Sequence, residues 1–563
     1  MRPATTSAAR LAAAPLSAAS ALLALAGLSH ATPPGVEVIA VTGTPTSDGV
    51  IDSFSGSPTI SSDGELAWSA FLTGTSMATR NDSAKFRGTP GLIVEIAREN
   101  TPLPDGNGLM SAPIMTSVNA AGAVAGIALF SATAQGDDDD SGIMIGSGGP
   151  LAHVARQGGP LPGVNGTISS IDSVHLGDSG AVTFSAFSAD AVPNSVSGIF
   201  RTGGGPFTTI AKSGQFAPGG IGTYDLVFGS YGVNPAGAVA FRADLAGVGD
   251  NLNDGRVYLF NGVNTITIAR EGDPSPDLNG QLWNGINFIL AARVSNNNAV
   301  AFRTELLGTS GGASDNEAIF RGAGGPLTLI ARRGQPAPGG NGTIEQVFIP
   351  DVGDSGVVAF PARFAGTSGG ESDNAAILAG NGGPLTAVIR EGQPTPSGDG
   401  VIGDDGFAYW GMNDNGEMFI RTALANTQAG GNNENALYFH RPGQPLIELV
   451  RNGTPLLGST VDIVTTTLAI DAPEAVAIND AGQVAFRVYL ADDRQAILRF
   501  TPPPTCLGDF NHDGQRDTAD LVMFLGQFGQ GVAPWGVGDM NGDGFVSTPD
   551  LTIFLGVFGR PCR

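Results

Sequence analysis

Two stretches near the C-terminus carry side chains able to hold a hard cation. From Asp509 the chain reads Asp-Phe-Asn-His-Asp-Gly-Gln-Arg-Asp-Thr-Ala-Asp, with oxygen-bearing side chains at positions 1, 3, 5, 9 and 12 and Gly514 at position 6. The same frame from Asp539 gives Asp539, Asn541, Asp543, Ser547 and Asp550, with Gly544 at position 6. Alternate residues of such a run turn inward, the glycine permits a sharp turn, and position 7 offers a backbone carbonyl. Hard oxygen donors at this spacing suit calcium. The expected ligands are Asp509, Asn511, Asp513, Gln515, Asp517 and Asp520 for one Ca2+, and Asp539, Asn541, Asp543, Phe545, Ser547 and Asp550 for a second.

The elements that would position these loops follow them directly. After each loop, apolar residues fall at i, i+3, i+4 and i+7: Leu521, Phe524, Leu525, Phe528, and then Leu551, Phe554, Leu555, Phe558. That spacing predicts one apolar face of a short helix. Each unit is thus a loop plus one helix, without the entering helix of an EF-hand, and position 12 is Asp where an EF-hand has a bidentate Glu. Cys506 and Cys562, the chain's two cysteines, bracket this doubled segment. An even pair flanking one small module reads as a disulfide clasp in an oxidising compartment, against the alternative of two unrelated thiols.

Asp at position 12, the missing first helix and the tandem duplication resemble a type I dockerin module over residues 506–563. The flanking cysteines resemble the variant dockerin that ends many secreted planctomycete proteins. The resemblance implies a partner, because dockerins bind cohesin modules on scaffold or surface proteins. In that family, positions 10 and 11 of each loop help to set the choice of cohesin. Here they are Thr518 and Ala519, then Thr548 and Pro549. The two pairs differ, which argues against a fully symmetric dual binding mode.

Elsewhere the chain offers little chemistry. His30, His153, His175, His440 and His512 show no metal-ligand spacing, and neither a P-loop nor a G-x-S-x-G elbow with partners stands out. Carboxylates are plentiful, so a two-carboxylate glycosidase stays open. With a net charge of -24 and only Lys85 and Lys212 as lysines, the chain should repel nucleic acid and anionic membrane.

The middle of the chain is a repeat. A phrase of the form Asn/Asp-x-x-Gly followed by an apolar strand occurs eight times, about 57 to 66 residues apart; "NPAGAVAF" at Asn234 and "NDAGQVAF" at Asn479 are examples. A second phrase, as in "IARRGQPAPGG", and a short third strand, as in "AIFRG", interleave with it. In "AVAFR", Val300 and Phe302 alternate with Ala301 and Arg303, the period of two of a β-strand. With 84 Gly and 37 Pro for turns and about four short strands per unit, the expected fold is all-β, an eight-bladed β-propeller over residues 35–500. An open β-solenoid or two smaller propellers are the alternatives. The chain starts with a second phrase and ends with a first and a third. The N-terminal strand "EVIAVTG" should therefore complete the last sheet and close the ring. The repeats resemble tandem N-x-x-G-x-V-A-F proteins that carry varied C-terminal anchors, a family with no settled activity.

Two further repeated features call for a reading. Acid clusters at Asp137–Asp140, Asp250–Asp254, Asp315 and Asp373 should share one rim, as solvated turns or as a ring of cation or sugar contacts. Arg98, Arg156, Arg270, Arg332, Arg390 and Arg451 recur with the blades, which argues for a structural role.

Residues 1–31, with Arg2 and Arg10 before an apolar run and "SHA" at its end, read as a secretory signal. Residues 501–505 read as a Pro-rich linker, and no later segment is long and apolar enough to span a bilayer. The combined reading is a secreted, non-catalytic repeat propeller held to a cell surface or extracellular assembly through calcium and a cohesin. Its alternatives are a carbohydrate-active glycosidase or lyase, or a lectin-like propeller with a glycan or cell-wall ligand.

Overall fold

The computed structural model describes residues 33–189, 195–203, 205–248, 254–283, 293–403, 407, 409–428, 430, 434–465, 478–511 and 513–562. The segment read as a secretory signal lies outside the described residues.

The repeat folds into eight antiparallel sheets, the blades of a β-propeller. Blades 1 to 7 span residues 50–98, 109–156, 170–212, 223–270, 281–332, 343–390 and 401–451. Blade 8 is built from both ends of the repeat region. Ser459–Thr465, Val484–Leu490 and Gln495–Phe500 supply its inner strands, and the N-terminal strand Val36–Val41 pairs antiparallel with Gln495–Phe500 as the outermost. The N-terminal strand thus completes the last sheet, as the order of phrases predicts.

The ring is closed by packing as well as by pairing. Ile39, Ala40, Ala485 and Ile497 of blade 8 share one core with Phe54, Leu66, Trp68 and Phe86 of blade 1. The open array and the pair of smaller propellers are therefore set aside.

Strand alternation has a different meaning here from core-in, solvent-out. Val300, Ala301 and Phe302 are all buried. Val300 and Phe302 pack with blade 4, whereas Ala301 packs with blade 6. Each blade thus buries both faces, with Phe302 and Phe320 of blade 5 toward one neighbour and Ala301, Ile319 and Ile330 toward the other, which lets the sheets stack around an axis. The Gly of each N-x-x-G turn takes the left-handed conformation the turn needs, as at Gly237 (φ 85°) and Gly482 (φ 73°).

After the propeller come two helices, Thr518–Gln527 and Thr548–Val557. Phe524 and Phe554 are fully buried between them, with ring centroids 5.6 Å apart, over Met540 and Val546. Among the described residues no helix is long and apolar enough to cross a membrane.

Candidate functional site

The repeated polar residues have structural partners. The first Asn of the turn works twice. Asn413 accepts the Glu417 N–H through Oδ1 (2.9 Å) and donates Nδ2–H to the Asn479 carbonyl of the next blade (2.8 Å). Asn479 repeats this across the seam, donating to the Ser61 carbonyl of blade 1 (2.9 Å). Asn119 and Asn234 make the same step at 3.2 and 2.9 Å.

The repeated Arg staples two loops of its own blade. Arg332 donates to Asp277 (2.6 Å) and the Asn279 carbonyl (2.7 Å) in the loop leading into blade 5, and to the Asp315 carbonyl (2.7 Å). Arg156 does the same with Asp105, Asn107 and Asp139 in blade 2. Asn107, Asn279 and Asn341 donate to Asp139, Asp315 and Asp373 at 2.7, 2.9 and 2.7 Å. One acid in each of these three clusters is therefore tied into its blade rather than left to solvent or to a ligand ring, and Asp250 of the fourth lies outside the described residues. The Thr367 hydroxyl, then Asn341, the Gly369 N–H and Arg390, hold the Asp373 carboxyl below the usual carboxylate range.

The repeats diverge on the axis. Inner strands from all eight blades enclose a cavity of about 240 Å³. Two residues before each turn stand Thr59, Ser117, His175, Gly232, Arg293 and Asp351 in blades 1 to 6, a set with no common chemistry. Asp178, Asp414 and Asp480, from the second turn position, also line it. Burial, together with the charges of Asp480, Asp354 and Asp351, pushes Asp414 up to about 7. Thr59 is 4% exposed, and its hydroxyl has no hydrogen-bond partner among the described residues. The sequence reading did not pick out these positions. Superposing the eight phrases would have exposed them as the place where uniform repeats stop being uniform.

The terminal loops gather the expected residues around compact turns. Asp509 accepts the N–H groups of Asp513 (3.1 Å) and Gly514 (2.9 Å), and Asp539 those of Gly542 (2.8 Å) and Gly544 (2.9 Å). The position-12 carboxylates reach back across the loops. Asp520 accepts from Phe510 and Asn511, and Asp550 from Met540 and Asn541. Asp513 and Asp543 accept the N–H groups of Gln515 and Phe545 (both 2.9 Å). Asp517 and Ser547 at position 9 are also helix N-caps, each closing a capping box with the position-12 Asp. Gly514 and Gly544 have φ of 86° and 78°, the left-handed turn that position 6 needs.

Asp520, Asp539 and Asp550 are 0% exposed and Asp509 is 7% exposed. Among the described residues none of the four forms an ion pair with Arg, Lys or His; backbone N–H groups are their main partners. Carboxylates buried this way cost free energy unless a cation offsets their charge. Burial pushes the Asp539 carboxyl up. An all-oxygen donor set around uncompensated buried carboxylates fits a hard divalent cation.

Cys506 and Cys562 are disulfide-bonded (Cα–Cα 5.5 Å), tying the module's ends together. Their sulfurs lie near Asp509, but disulfide sulfurs are no metal ligands. Thr518, Ala519, Thr548 and Pro549 are exposed at the first turns of the helices. The expected apolar face is only half buried: Phe524 and Phe554 are inside, whereas Leu525 (55%) and Leu555 (57%) are exposed.

The fold rests on the eight sheets themselves. Solved structures that resemble it include the β-propeller domain of the Trilobed protease from Pyrococcus furiosus (10% identity, 71% of this chain and 98% of that one, TM-score 0.34). Polysaccharide lyase Uly1 aligns at 10% identity over 72% of this chain and 90% of its own, with a TM-score of 0.33. Trypanosoma rangeli sialidase aligns at 10% identity over 63% and 56%, with a TM-score of 0.26. No protein of curated function matches the sequence. Residues 25–288 and 263–499 each match the model of DUF7453, a family of unknown function, and the chain belongs to that family.

Proposed function

We propose that the protein is a secreted repeat propeller without catalytic activity, held to a cell surface or extracellular assembly by a calcium-loaded dockerin module that binds a cohesin. The observation that carries this reading is the exposed apolar surface of the two helices. Val522 (64%), Leu525 (55%), Leu555 (57%) and Phe558 (38%) remain in solvent although the module already has a core in Phe524 and Phe554. Clustered apolar surface on a small, cross-linked module marks a docking face. Thr518, Ala519, Thr548 and Pro549 are exposed on the same two helices. The test is surface plasmon resonance of the full chain against a panel of cohesins, in calcium and in EDTA. Binding in calcium that EDTA and Leu525→Asp both abolish is expected. No binding to any cohesin in calcium would overturn the anchoring role.

A second reading follows from the axial cavity. A single site with unlike residues suits one small polar ligand better than eight equivalent lectin sites would, and Asp414, with its raised proton affinity, is suited to donate a proton to a glycosidic oxygen. Turnover of a glycan library by the full chain, lost in Asp414→Asn, would move the protein to the carbohydrate-active class.

A further inference from the structure

The second acidic loop touches the place where the ring is joined. Gly35, just before the N-terminal strand, donates its N–H to the Gly542 carbonyl at loop position 4 (2.9 Å). Its own carbonyl accepts the Thr501 N–H (2.8 Å), just after the last strand of the ring. Trp535 then donates its indole N–H to the Thr501 carbonyl (2.8 Å). Both chain ends of the seam are thus gripped by one short stretch of the C-terminal module.

The grip leads straight to a ligand residue. The Trp535 backbone N–H donates to Oδ2 of Asp539 (3.0 Å), and the Gly542 N–H to Oδ1 of the same carboxylate (2.8 Å). Trp535 sits at φ 62°, a left-handed conformation that a bulky residue holds only when its surroundings impose it. A Cβ on Gly35 would lie 2.4 Å from the Thr501 oxygen, and one on Gly542 2.4 Å from the Trp535 ring. The contact is fitted at backbone distance on both sides. Among the described residues the first loop has no such role. Its Gly514 carbonyl accepts the Cys562 N–H (3.0 Å) and its Arg516 carbonyl the Gly559 N–H (2.7 Å), so it is closed by the module's own tail.

We propose that the second loop is a clamp on the ring seam, through which calcium held at Asp539 stabilises closure of the propeller. The inference rests on the calcium reading of that loop. Without a cation, Asp539, Asp543 and Asp550 repel one another, and the loop loosens. Trp535 and Gly542 then lose the carboxylate that orients them, and the N-terminal strand loses its outer hold. With calcium bound, Asp539 fixes both groups, and Val36–Val41 stays in blade 8.

The test measures two things on the full chain: calcium stoichiometry by calorimetry, and amide hydrogen exchange of Val36–Val41 with and without calcium. Wild type should bind two ions and slow exchange in that strand by about tenfold. Trp535→Ala, which keeps every loop ligand, should still bind two ions but lose most of that slowing; Trp535→Phe, lacking only the indole N–H, should fall between. Two bound ions with unchanged exchange in wild type, or equal slowing in Trp535→Ala, would overturn the clamp while leaving the calcium sites intact. An absence of calcium binding would instead remove the reading of the loops and the clamp with it.

Discussion

The eight blades and the two acidic loops are both products of repetition, yet their copies meet their surroundings in opposite ways. In the ring a given residue type finds the same partner from blade to blade. Asn413 and Asn479 each reach the next turn carbonyl, and Arg156 and Arg332 each staple two loops of their own blade. In the module the same ligand frame has unlike neighbours. The first loop closes on the C-terminal tail and the disulfide, the second on the seam of the propeller. Repetition with equivalent neighbours spreads stability evenly around a ring. Repetition with unequal neighbours lets two near-identical copies take separate roles.

The sharpest way to break this comparison is to remove the first ligand of each loop. Asp509→Ala and Asp539→Ala should each delete one calcium site, weakening it by more than about 100-fold and leaving the other near its original affinity. Calorimetry on each variant reads this directly. Loss of both sites in either variant would mean that the loops act as one unit and that their inequality is superficial.

In the ring the opposite pattern is expected, with equal costs for equivalent changes. Arg332 is almost fully buried against Asp277, Asp315 and backbone carbonyls, and Arg156 is nearly so. Replacing either by Ala leaves several part-buried acceptors of a charged donor unpaired and should cost about 2–3 kcal/mol in urea unfolding. A difference of more than about 1 kcal/mol between the two would show that blades 2 and 5 are not equivalent. Asn413→Ala and Asn479→Ala come next, at about 1–2 kcal/mol each, since each loses one donor to a neighbouring blade. Asn479 spans the seam, so equal values there would show that the joint is as well stitched as any other interface.

Much of this architecture was legible in the sequence because repetition reports periodicity. The N-x-x-G phrases gave the number of blades, and their order gave the joining of Val36–Val41 to Gln495–Phe500. Periodicity tells which face a residue occupies, not which atom it will meet. The turn Asn could therefore be read as a local turn former, but not as the donor to the next blade. The acids at Asp139, Asp315 and Asp373 looked like solvated loops because the Asn and Arg that tie them lie about 17 to 36 residues away. On the helices the 3.6 period marked Leu525 and Leu555 as inward, but two short helices offer too little partner surface to cover a full stripe. Residues 501–505 have the composition of a free linker, yet the Pro503 carbonyl accepts from Arg441 at 2.7 Å, so the stretch lies against blade 7.

The one pH-dependent effect expected in the ring lies where one blade departs from the others. The third strand carries Ile143, Ile199, Val257, Ile319, Ile377, Leu437 and Ile497 at one buried position, and blade 1 has Lys85 there, 3% exposed. Among the described residues its ammonium has only the Ser69 hydroxyl, at 3.5 Å. Burial lowers the Lys85 pKa to about 7, against roughly 10.4 for an exposed lysine. Between those values the unfolded chain holds the proton more often than the folded one, so stability rises with pH across that window. The lysine's penalty is therefore complete below about pH 7 and gone above about pH 10. Lys85→Ile restores the residue type of the other blades and should stabilise the ring at pH 6 by up to about 4 kcal/mol, at about 1.4 kcal/mol for each unit of the shift, with the gain fading toward pH 10. Urea unfolding at both values measures it. A gain independent of pH would mean that packing alone separates blade 1 from its neighbours. A loss at both would mean that the lysine has a partner of its own, and that the ring, like the pair of loops, gives its copies unequal work.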